Sequence, residues 1–268
     1  MTTPTLDTDP QLWEQAGVRL ELDGDTAVVT LCRPERRNAQ SPAMWRALAG
    51  IGRSLPGTVR VVVLRAEGVS FSAGLDRAMF SPEGIPGERS FLELAAADAK
   101  DLDETIAAYQ EAFTWWRRAD VISIAAVQGH AVGAGFQLAL GCDLRVVAED
   151  VQFAMKETSL GLVPDLAGTK PLTELVGYAR ALEICATGRW VGAEEAVSTG
   201  LANLAVPAAE LDGTVRDLTA ALLAAPRSAV IETKALLQGA ADRSFEEQRA
   251  AERAAQARRL RDLAGLGD

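Results

Sequence analysis

The stretch 123–140 constrains the fold of this chain more than any other. Its first part, Ser123–Val127, is an apolar run typical of a strand, and its last part, from Phe136, has the apolar spacing of a helix. Between the two parts lie glycines, at Gly129, Gly133 and Gly135. The pattern predicts a strand, a tight turn and a helix whose first backbone N–H groups could hold an anion or a developing oxyanion. The same pattern also fits a strand-to-helix turn without a ligand.

A second turn of small residues, FSAGLD from Phe71 to Asp76, follows a β-branched run at 59–64 that predicts a buried strand. Taken alone, it fits a plain loop. Two such turns at the ends of neighbouring strands could each supply one backbone donor, which is the arrangement that stabilises an oxyanion. The glycines of the first turn are spaced G-x-x-x-G-x-G, and the chain has no GxxxxGK[ST] motif. Dinucleotide and nucleoside triphosphate chemistry are therefore disfavoured.

Two carboxylates, Glu157 and Asp165, stand in a loop punctuated by glycine and proline. A carboxylate in a loop is usually solvated, but the residues around these two are mostly apolar. If they are buried, their pKa rises toward working pH and they can act as acid and base. The sequence thus offers an oxyanion site with two candidate proton-transfer groups near it.

Other catalytic classes find little support. His130 is the only histidine and lies near no GxSxG elbow, so a structural role is favoured over a catalytic triad. The three cysteines, Cys32, Cys142 and Cys185, are widely spaced in apolar contexts, which predicts reduced thiols and no disulfide. One histidine and no CxxC motif also argue against a metal site.

The composition limits which binding partners and which cellular location are expected. The net charge is -10 and the pI is near 4.8, which argues against a nucleic-acid partner. The chain has no run of eighteen apolar residues and begins with a polar, acidic segment, so we expect no membrane insertion and a cytoplasmic location.

Strand and helix patterns alternate along the chain, which predicts an α/β fold with parallel strands. A hairpin is expected around Asp23-Gly24-Asp25, and a helix is expected from Ser41 as N-cap to Leu55. We expect residues 1–16 to form a loosely held arm and 77–91 to be a mobile loop that shapes the site. From Leu211 onward the pattern is helical.

Four motifs together resemble the crotonase superfamily, the enoyl-CoA hydratase/isomerase family. They are RPERRNA at 33–39, FSAGLD at 71–76, GHAVGAGFQLALGCD at 129–143 and FAMKETSLGLVPDLAGT at 153–169. The resemblance covers roughly residues 18–239. It implies a crotonase-type spiral of ββα units over 1–205 and a helical C-terminal trimerisation subdomain over 206–268. It also implies a homotrimer, or a hexamer made of two trimers.

The resemblance implies an acyl-coenzyme A thioester as substrate, with no separate cofactor. By motif position, Leu75 and Ala134 would donate the two oxyanion-hole N–H groups. The resemblance also places substrate or coenzyme A contacts at seven residues: Arg37, Ala39, Ala73, Gly74, Asp76, Gly133 and Gln137. The cluster of Arg33, Arg36 and Arg37 could meet the coenzyme A phosphates.

The carboxylates decide among the activities of the family. Family hydratases have two glutamates, of which the second matches Glu157, but Gln137 stands at the first and cannot transfer a proton. Asp165 matches a carboxylate of the dienoyl-CoA isomerases, although these also have an aspartate where this chain has Gln137. We therefore expect an enoyl- or dienoyl-CoA isomerase with Glu157 and Asp165 as catalytic groups. A hydratase of fatty-acid degradation and a non-catalytic acyl-CoA-binding protein remain the alternatives.

Overall fold

The computed structural model describes residues 9–81 and 83–266 of the 268-residue chain. In these residues it has nine strands: β1 (Val18–Asp23), β2 (Thr26–Leu31), β3 (Val61–Ala66), β4 (Ile122–Val127), β5 (His130–Val132), β6 (Leu144–Ala148), β7 (Gln152–Ala154), β8 (Val191–Gly192) and β9 (Leu204–Val206). It has eleven α-helices in the same residues: α1 (Pro10–Gln15), α2 (Pro42–Ser54), α3 (Phe91–Ala95), α4 (Ala99–Thr114), α5 (Ala134–Gly141), α6 (Thr169–Val176), α7 (Tyr178–Thr187), α8 (Ala193–Ser198), α9 (Leu211–Ala224), α10 (Arg227–Gln238) and α11 (Phe245–Leu263).

The strands form two sheets. The larger has six strands in the order β1-β2-β3-β4-β6-β9, with β1 antiparallel to β2 and the other pairs parallel. The smaller has the order β5-β7-β8. After β4 and again after β6 the chain passes from the larger sheet into the smaller one, and after β3 Ser72 forms a bridge with Ala131 of β5. The turns that follow β3, β4 and β6 therefore lie at the same edge of the larger sheet, beside the smaller sheet. The predicted α/β class is confirmed.

Local signals explain several elements. The β1–β2 hairpin turns at Gly24, whose φ of 56° favours glycine. Helix α2 begins as predicted, because the Ser41 hydroxyl accepts the Met44 N–H at 3.3 Å and Pro42 stands at the first helical position.

Both faces of the larger sheet are covered. Along β3, Val62 and Leu64 belong to the main core beside α2, α4 and α5, while Val61 and Val63 pack with Leu211 on α9. Strands buried on both faces are apolar throughout, which explains the continuous β-branched run of β3.

One expectation fails at the amino-terminal end. Residues 9–16 are not a loose arm, because Asp9 caps α1 by accepting the Gln11 N–H at 2.9 Å, and Trp13 is only 5% exposed in the core. Residues 1–8 of the expected arm lie outside the described residues. The prediction followed the acidic and polar composition of the segment and did not take account of Trp13, which packs in the core.

Candidate active site

The FSAGLD turn and the glycine turn before α5 are brought together. The Ser72 carbonyl accepts the Val132 N–H at 3.0 Å, and the Ser72 N–H donates to the His130 carbonyl at 2.9 Å. Gly74 has a φ of 84°, and a Cβ built on it would stand 2.5 Å from the Val132 oxygen and 3.7 Å from the Ala134 nitrogen. Only glycine allows this approach of the two backbones.

Two backbone N–H groups are available where the turns meet. Within residues 9–81 and 83–266, neither the Leu75 N–H nor the Ala134 N–H donates a hydrogen bond. Ala134 is the first residue of α5, where N–H groups have no partner within a helix and the dipole favours negative charge. The arrangement can therefore hold an oxyanion with two donors.

The RPERRNA motif supports the FSAGLD turn from behind. Asn38, fully buried, donates to the carbonyls of Glu67 at 2.9 Å and Ser70 at 3.0 Å. The Ser72 hydroxyl donates to the Asn38 carbonyl at 2.8 Å and accepts from the Gln40 amide at 3.1 Å. Sequence reasoning missed this support, for which the only signal was two amide residues, Asn38 and Gln40, close together in the chain.

Two of the three arginines of the cluster, Arg33 and Arg36, form ion pairs with Asp76. This buried carboxylate accepts from the Arg36 guanidinium at 3.1 and 3.2 Å and lies 3.6 Å from that of Arg33. Arg37 is exposed and has no ion pair or side-chain hydrogen bond with any residue that the structure describes. Arg33 and Arg36 thus hold the turn in place, and Arg37 alone of the three keeps its guanidinium for an external group.

Glu157 begins a short 3₁₀ helix, 157–160, directly after β7, and its carboxyl group lies against the start of α5. Gly133, with φ 51° and ψ -117°, is the N-cap of α5. A Cβ on Gly133 would stand 3.2 Å from Glu157 Oε1. The glycine therefore supplies both the backbone conformation of the turn and the space for the carboxylate.

Gln137 connects this carboxylate to the following loop. Its Nε2 donates to Glu157 Oε1 at 2.7 Å, and its Oε1 accepts the N–H groups of Leu166 at 2.9 Å and Gly168 at 3.3 Å. The Asp165 carbonyl accepts from the Gln110 amide on α4 at 2.6 Å. The sequence could not reveal these contacts, because the partners are separated by tens of residues along the chain.

Burial raises the pKa of Glu157 above its ordinary value, and the nearby charge of Asp165 adds to the rise, while nearby backbone N–H groups and the hydrogen bond from Gln137 oppose it. Desolvation also raises the pKa of the Asp165 carboxyl group, although the residue as a whole is exposed, which limits this effect. The structure thus places the two carboxylates named from the sequence near enough for the charge of Asp165 to act on Glu157. Both are shifted in the direction that suits proton transfer near neutral pH.

The segment 77–97, which includes the predicted loop 77–91, is tied to two helices. Arg46 on α2 donates to both Glu88 oxygens, at 2.9 and 2.5 Å, and Arg89 donates to both Asp101 oxygens, at 3.1 and 2.8 Å. Two bidentate pairs therefore connect the stretch 77–91, whose glycines and prolines predicted a mobile loop, to α2 and α4. Residue 82 lies outside the described residues.

The remaining chemical candidates lie elsewhere. His130 is exposed on β5, with its ring 5.5 Å from that of Trp190. Cys32, Cys142 and Cys185 are free thiols. In the part of the chain that the structure describes, no group of three or more histidine, cysteine or acidic residues could hold a metal ion. Among the same residues, no helix is both long and apolar enough to cross a membrane.

Comparison with known proteins identifies the class. A family model described as enoyl-CoA hydratase/isomerase matches residues 21–262. A protein of Rhodobacter capsulatus named probable enoyl-CoA hydratase is 32% identical over 217 residues, which cover 81% of this chain and 79% of that protein. A short-chain-enoyl-CoA hydratase of Clostridium acetobutylicum is 28% identical over 84% of this chain and 83% of its own.

Among solved structures, one described as an enoyl-CoA hydratase of Thermobifida fusca, in complex with acetoacetyl-CoA, is similar over nearly the whole chain. It is 50% identical, has a TM-score of 0.91, and covers 95% of this chain and 98% of its own. The fold is thus the crotonase-type α/β spiral with a helical C-terminal region. The chain belongs to the enoyl-CoA hydratase/isomerase family, as its motifs predicted.

Proposed function

We propose that the protein is an acyl-CoA isomerase that moves a double bond in an enoyl- or dienoyl-CoA thioester. The observation that carries this proposal is the pair Glu157 and Gln137. One half-buried carboxylate stands beside the start of α5, and the side chain hydrogen-bonded to it is an amide that cannot transfer a proton. Moving a double bond needs one group to take a proton and return it, whereas adding water also needs activation of the water.

In the proposed reaction, Glu157 removes a proton from the carbon next to the thioester carbonyl of a 3-enoyl-CoA. The electron pair of that C–H bond forms a double bond to the thioester carbon, and the π electrons of the carbonyl group move onto the thioester oxygen as negative charge. The N–H groups of Leu75 and Ala134 stabilise this oxygen. Glu157 then returns the proton to the fourth carbon, so that a 2-enoyl-CoA forms and the carboxylate is restored.

A 3,5-dienoyl substrate would make a different demand. Here the proton returns two carbons further along the acyl chain, beyond the reach expected of a single carboxylate. A protonated Asp165, whose pKa is raised by desolvation, would donate a proton to that carbon, Glu157 would keep the proton it removed from the second carbon, and exchange with solvent would restore both groups. Segment 77–97 and α4 would shape the acyl pocket.

The coenzyme A portion would lie along the two supported turns. Backbone groups of Ala39, Ala73, Gly74 and Gly133 border this region, and the exposed Arg37 is the cation available for phosphate. The complexes of the Thermobifida fusca protein with CoA and with acetoacetyl-CoA support a thioester ligand for this chain. Coenzyme A would enter as part of the substrate, and no further cofactor takes part in the proposal.

The experiment is a set of turnover assays with 3-enoyl-, 3,5-dienoyl- and 2-enoyl-CoA substrates on the wild-type protein and on Glu157→Gln and Asp165→Asn. Glu157→Gln should lower isomerisation by ~100-fold or more and leave KM within a few-fold, since a proton-transfer group acts mainly in the transition state. Asp165→Asn should harm dienoyl isomerisation more than 3-enoyl isomerisation. Rapid water addition without any migration of the double bond would contradict the proposal.

Hydration is the second candidate, and the names of the relatives favour it. The Rhodobacter capsulatus, Clostridium acetobutylicum and Thermobifida fusca proteins are all described as enoyl-CoA hydratases. In this reading Glu157 alone would have to activate water, and hydration of crotonyl-CoA would be the fastest reaction in the set. A non-catalytic acyl-CoA-binding protein would instead bind thioesters tightly and convert none of them.

We also propose that residues 206–268 assemble the protein into a trimer or a pair of trimers. Helix α11 is mostly exposed, with Ala255 as its one buried residue and Phe245 81% exposed. A helix with so few contacts to its own chain, and with an exposed aromatic side chain, would be stabilised by packing against another subunit. Sedimentation of the full chain should give a trimeric or hexameric mass, and a monomeric mass would exclude this assembly.

A further inference from the structure

Gln137 is held in one orientation. Its Oε1 accepts two N–H groups of the loop, from Leu166 and Gly168, and these donors could not face its NH₂ group. The NH₂ group must therefore face Glu157, to whose Oε1 it donates at 2.7 Å. Because Gln137 is only 1% exposed, water offers little competition for these bonds.

The two oxygens of Glu157 are consequently different. Oε1 is bound by Gln137. Oε2 is buried, and no residue in 9–81 or 83–266 forms a hydrogen bond with it. A buried carboxylate oxygen without a donor is unfavourable, and such orphaned atoms in a native structure call for a functional explanation.

We propose that Gln137 is a positioning residue that ties down Oε1 of Glu157 and leaves Oε2 as the atom that takes and returns the substrate proton. The assignment of Oε2 to proton transfer rests on the proposed function. The orientation of Gln137 does not, because the loop N–H groups of Leu166 and Gly168 impose it directly.

The charges around Glu157 show what the amide contributes. Asp165 faces it from the loop, and the Cys185 thiol on α7 is close enough for Glu157 to raise its pKa. The Lys156 ammonium is turned away, to the Gly188 carbonyl and the Trp190 ring. The Gln137 amide is thus the side-chain donor that favours the ionised form of Glu157, against burial and against Asp165.

Gln137→Glu separates the two roles of the amide. The new carboxylate keeps an oxygen for the Leu166 and Gly168 N–H groups but faces Glu157 with a second oxygen in place of a donor. Like charges at hydrogen-bonding distance raise the pKa of the pair. We expect the acid limb of the kcat/KM profile for isomerisation to move to higher pH, with a loss of about tenfold or more at pH 6 and a smaller loss at pH 9.

Gln110→Leu is the matched control, because it removes the other tether of the same loop without touching Glu157. Its acid limb should coincide with that of the wild type. If Gln110→Leu shifts the limb as far as Gln137→Glu does, the loop tether is responsible and the proposal is overturned.

A direct titration keeps this test separate from the proposed function. The carboxyl carbon of Glu157 is followed by NMR in the protein without substrate, with its signal assigned by comparison with Glu157→Gln. Gln137→Glu should move its titration to higher pH, and an unchanged titration would refute the role of Gln137. A shifted titration in a protein that isomerises no enoyl-CoA would refute the proposed function and leave the orientation of Gln137 standing.

Discussion

The Glu157 carboxyl group occupies a place that favours its neutral form. Burial and the charge of Asp165 raise its pKa above the value in the unfolded chain. The folded state therefore binds more protons than the unfolded state between the two pKa values, and stability falls as pH rises through this window. To remove a proton from carbon, the Glu157 carboxyl group must be ionised. It therefore contributes least to the stability of the folded state at the pH where it can act as a base.

We therefore predict that Glu157→Gln unfolds at a higher temperature than the wild type at pH 7. Glutamine can still accept the bond from Gln137 and carries no charge into the site. The gain should shrink toward pH 4, where the wild-type carboxyl becomes protonated in both states. Thermal unfolding at several pH values measures this, with Glu149→Gln as a control on an exposed residue. A variant that is less stable at pH 7 would contradict the account.

At the scale of residues the sequence names candidate site residues but not the contacts that they make. The residues Leu75, Ala134, Glu157 and Asp165 could be named because each stands in a motif with its own local pattern. The orientation of Gln137 could not be predicted, because it depends on two backbone N–H groups about thirty positions away.

Helix α5 organises the site at the scale of elements. Its start supplies the Ala134 N–H, and the carbonyls at its end are held by the buried guanidinium of Arg145, which donates to Ala139 at 3.3 Å and Cys142 at 2.6 Å. A cation at a helix C-terminus is favourable for the helix dipole. Both ends of this eight-residue helix are therefore fixed.

Gly133→Ala should lower turnover in the proposed isomerisation by more than about tenfold. The backbone conformation at Gly133 strains any other residue by roughly 1–3 kcal/mol, and the new methyl group would press on Glu157 Oε1. Gly24→Ala is the control, since Gly24 also has a positive φ but a Cβ there meets nothing within 4 Å among the described residues. It should lose stability and keep its turnover. Equal losses of turnover in the two variants would show that strain alone matters.

Helices and the hairpin were predictable because their signals are local. Helix α9 begins at Leu211, where the helical pattern of the sequence begins, and helices α10 and α11 continue it. Strand β5 was missed because it has only three residues between glycines, and its partners Gln152 to Ala154 lie about twenty positions further on. A strand as short as β5 is defined by its pairing with a distant strand, and the local sequence does not indicate that pairing.

For the whole molecule, the C-terminal helices are joined to the core by a buried cation. Lys234 on α10, 8% exposed, donates to the carbonyls of Arg118 and Val121 and to Asp143, each at 2.7 Å. Arg60 beside β3 donates to the Leu223 and Ala225 carbonyls at the end of α9. Alternating strands and helices predicted the α/β class. The bonds made by Lys234 and Arg60 could not be predicted, because each joins residues far apart in the sequence and no local pattern marks them.

Lys234→Met should lower the free energy of unfolding by about 3 kcal/mol, because it leaves the half-buried Asp143 carboxylate without its cation. Urea unfolding at constant protein concentration measures the change. Lys170→Met removes the exposed pairs with Glu174 and Asp242 and should change the free energy by less than about 1 kcal/mol. Similar losses in the two variants would mean that the α10 anchor is not important for stability.

Ala134 and Gln137 are three residues apart, about one turn of the same helix. The donor proposed for the thioester oxygen and the amide that orients the base are thus mounted on one rigid support. Segment 77–97 is attached separately, through Glu88 and Arg89. Under the proposed function, in which that segment shapes the acyl pocket, an engineer who wishes to admit a bulkier or branched acyl group can redesign it and leave the reactive geometry as it is.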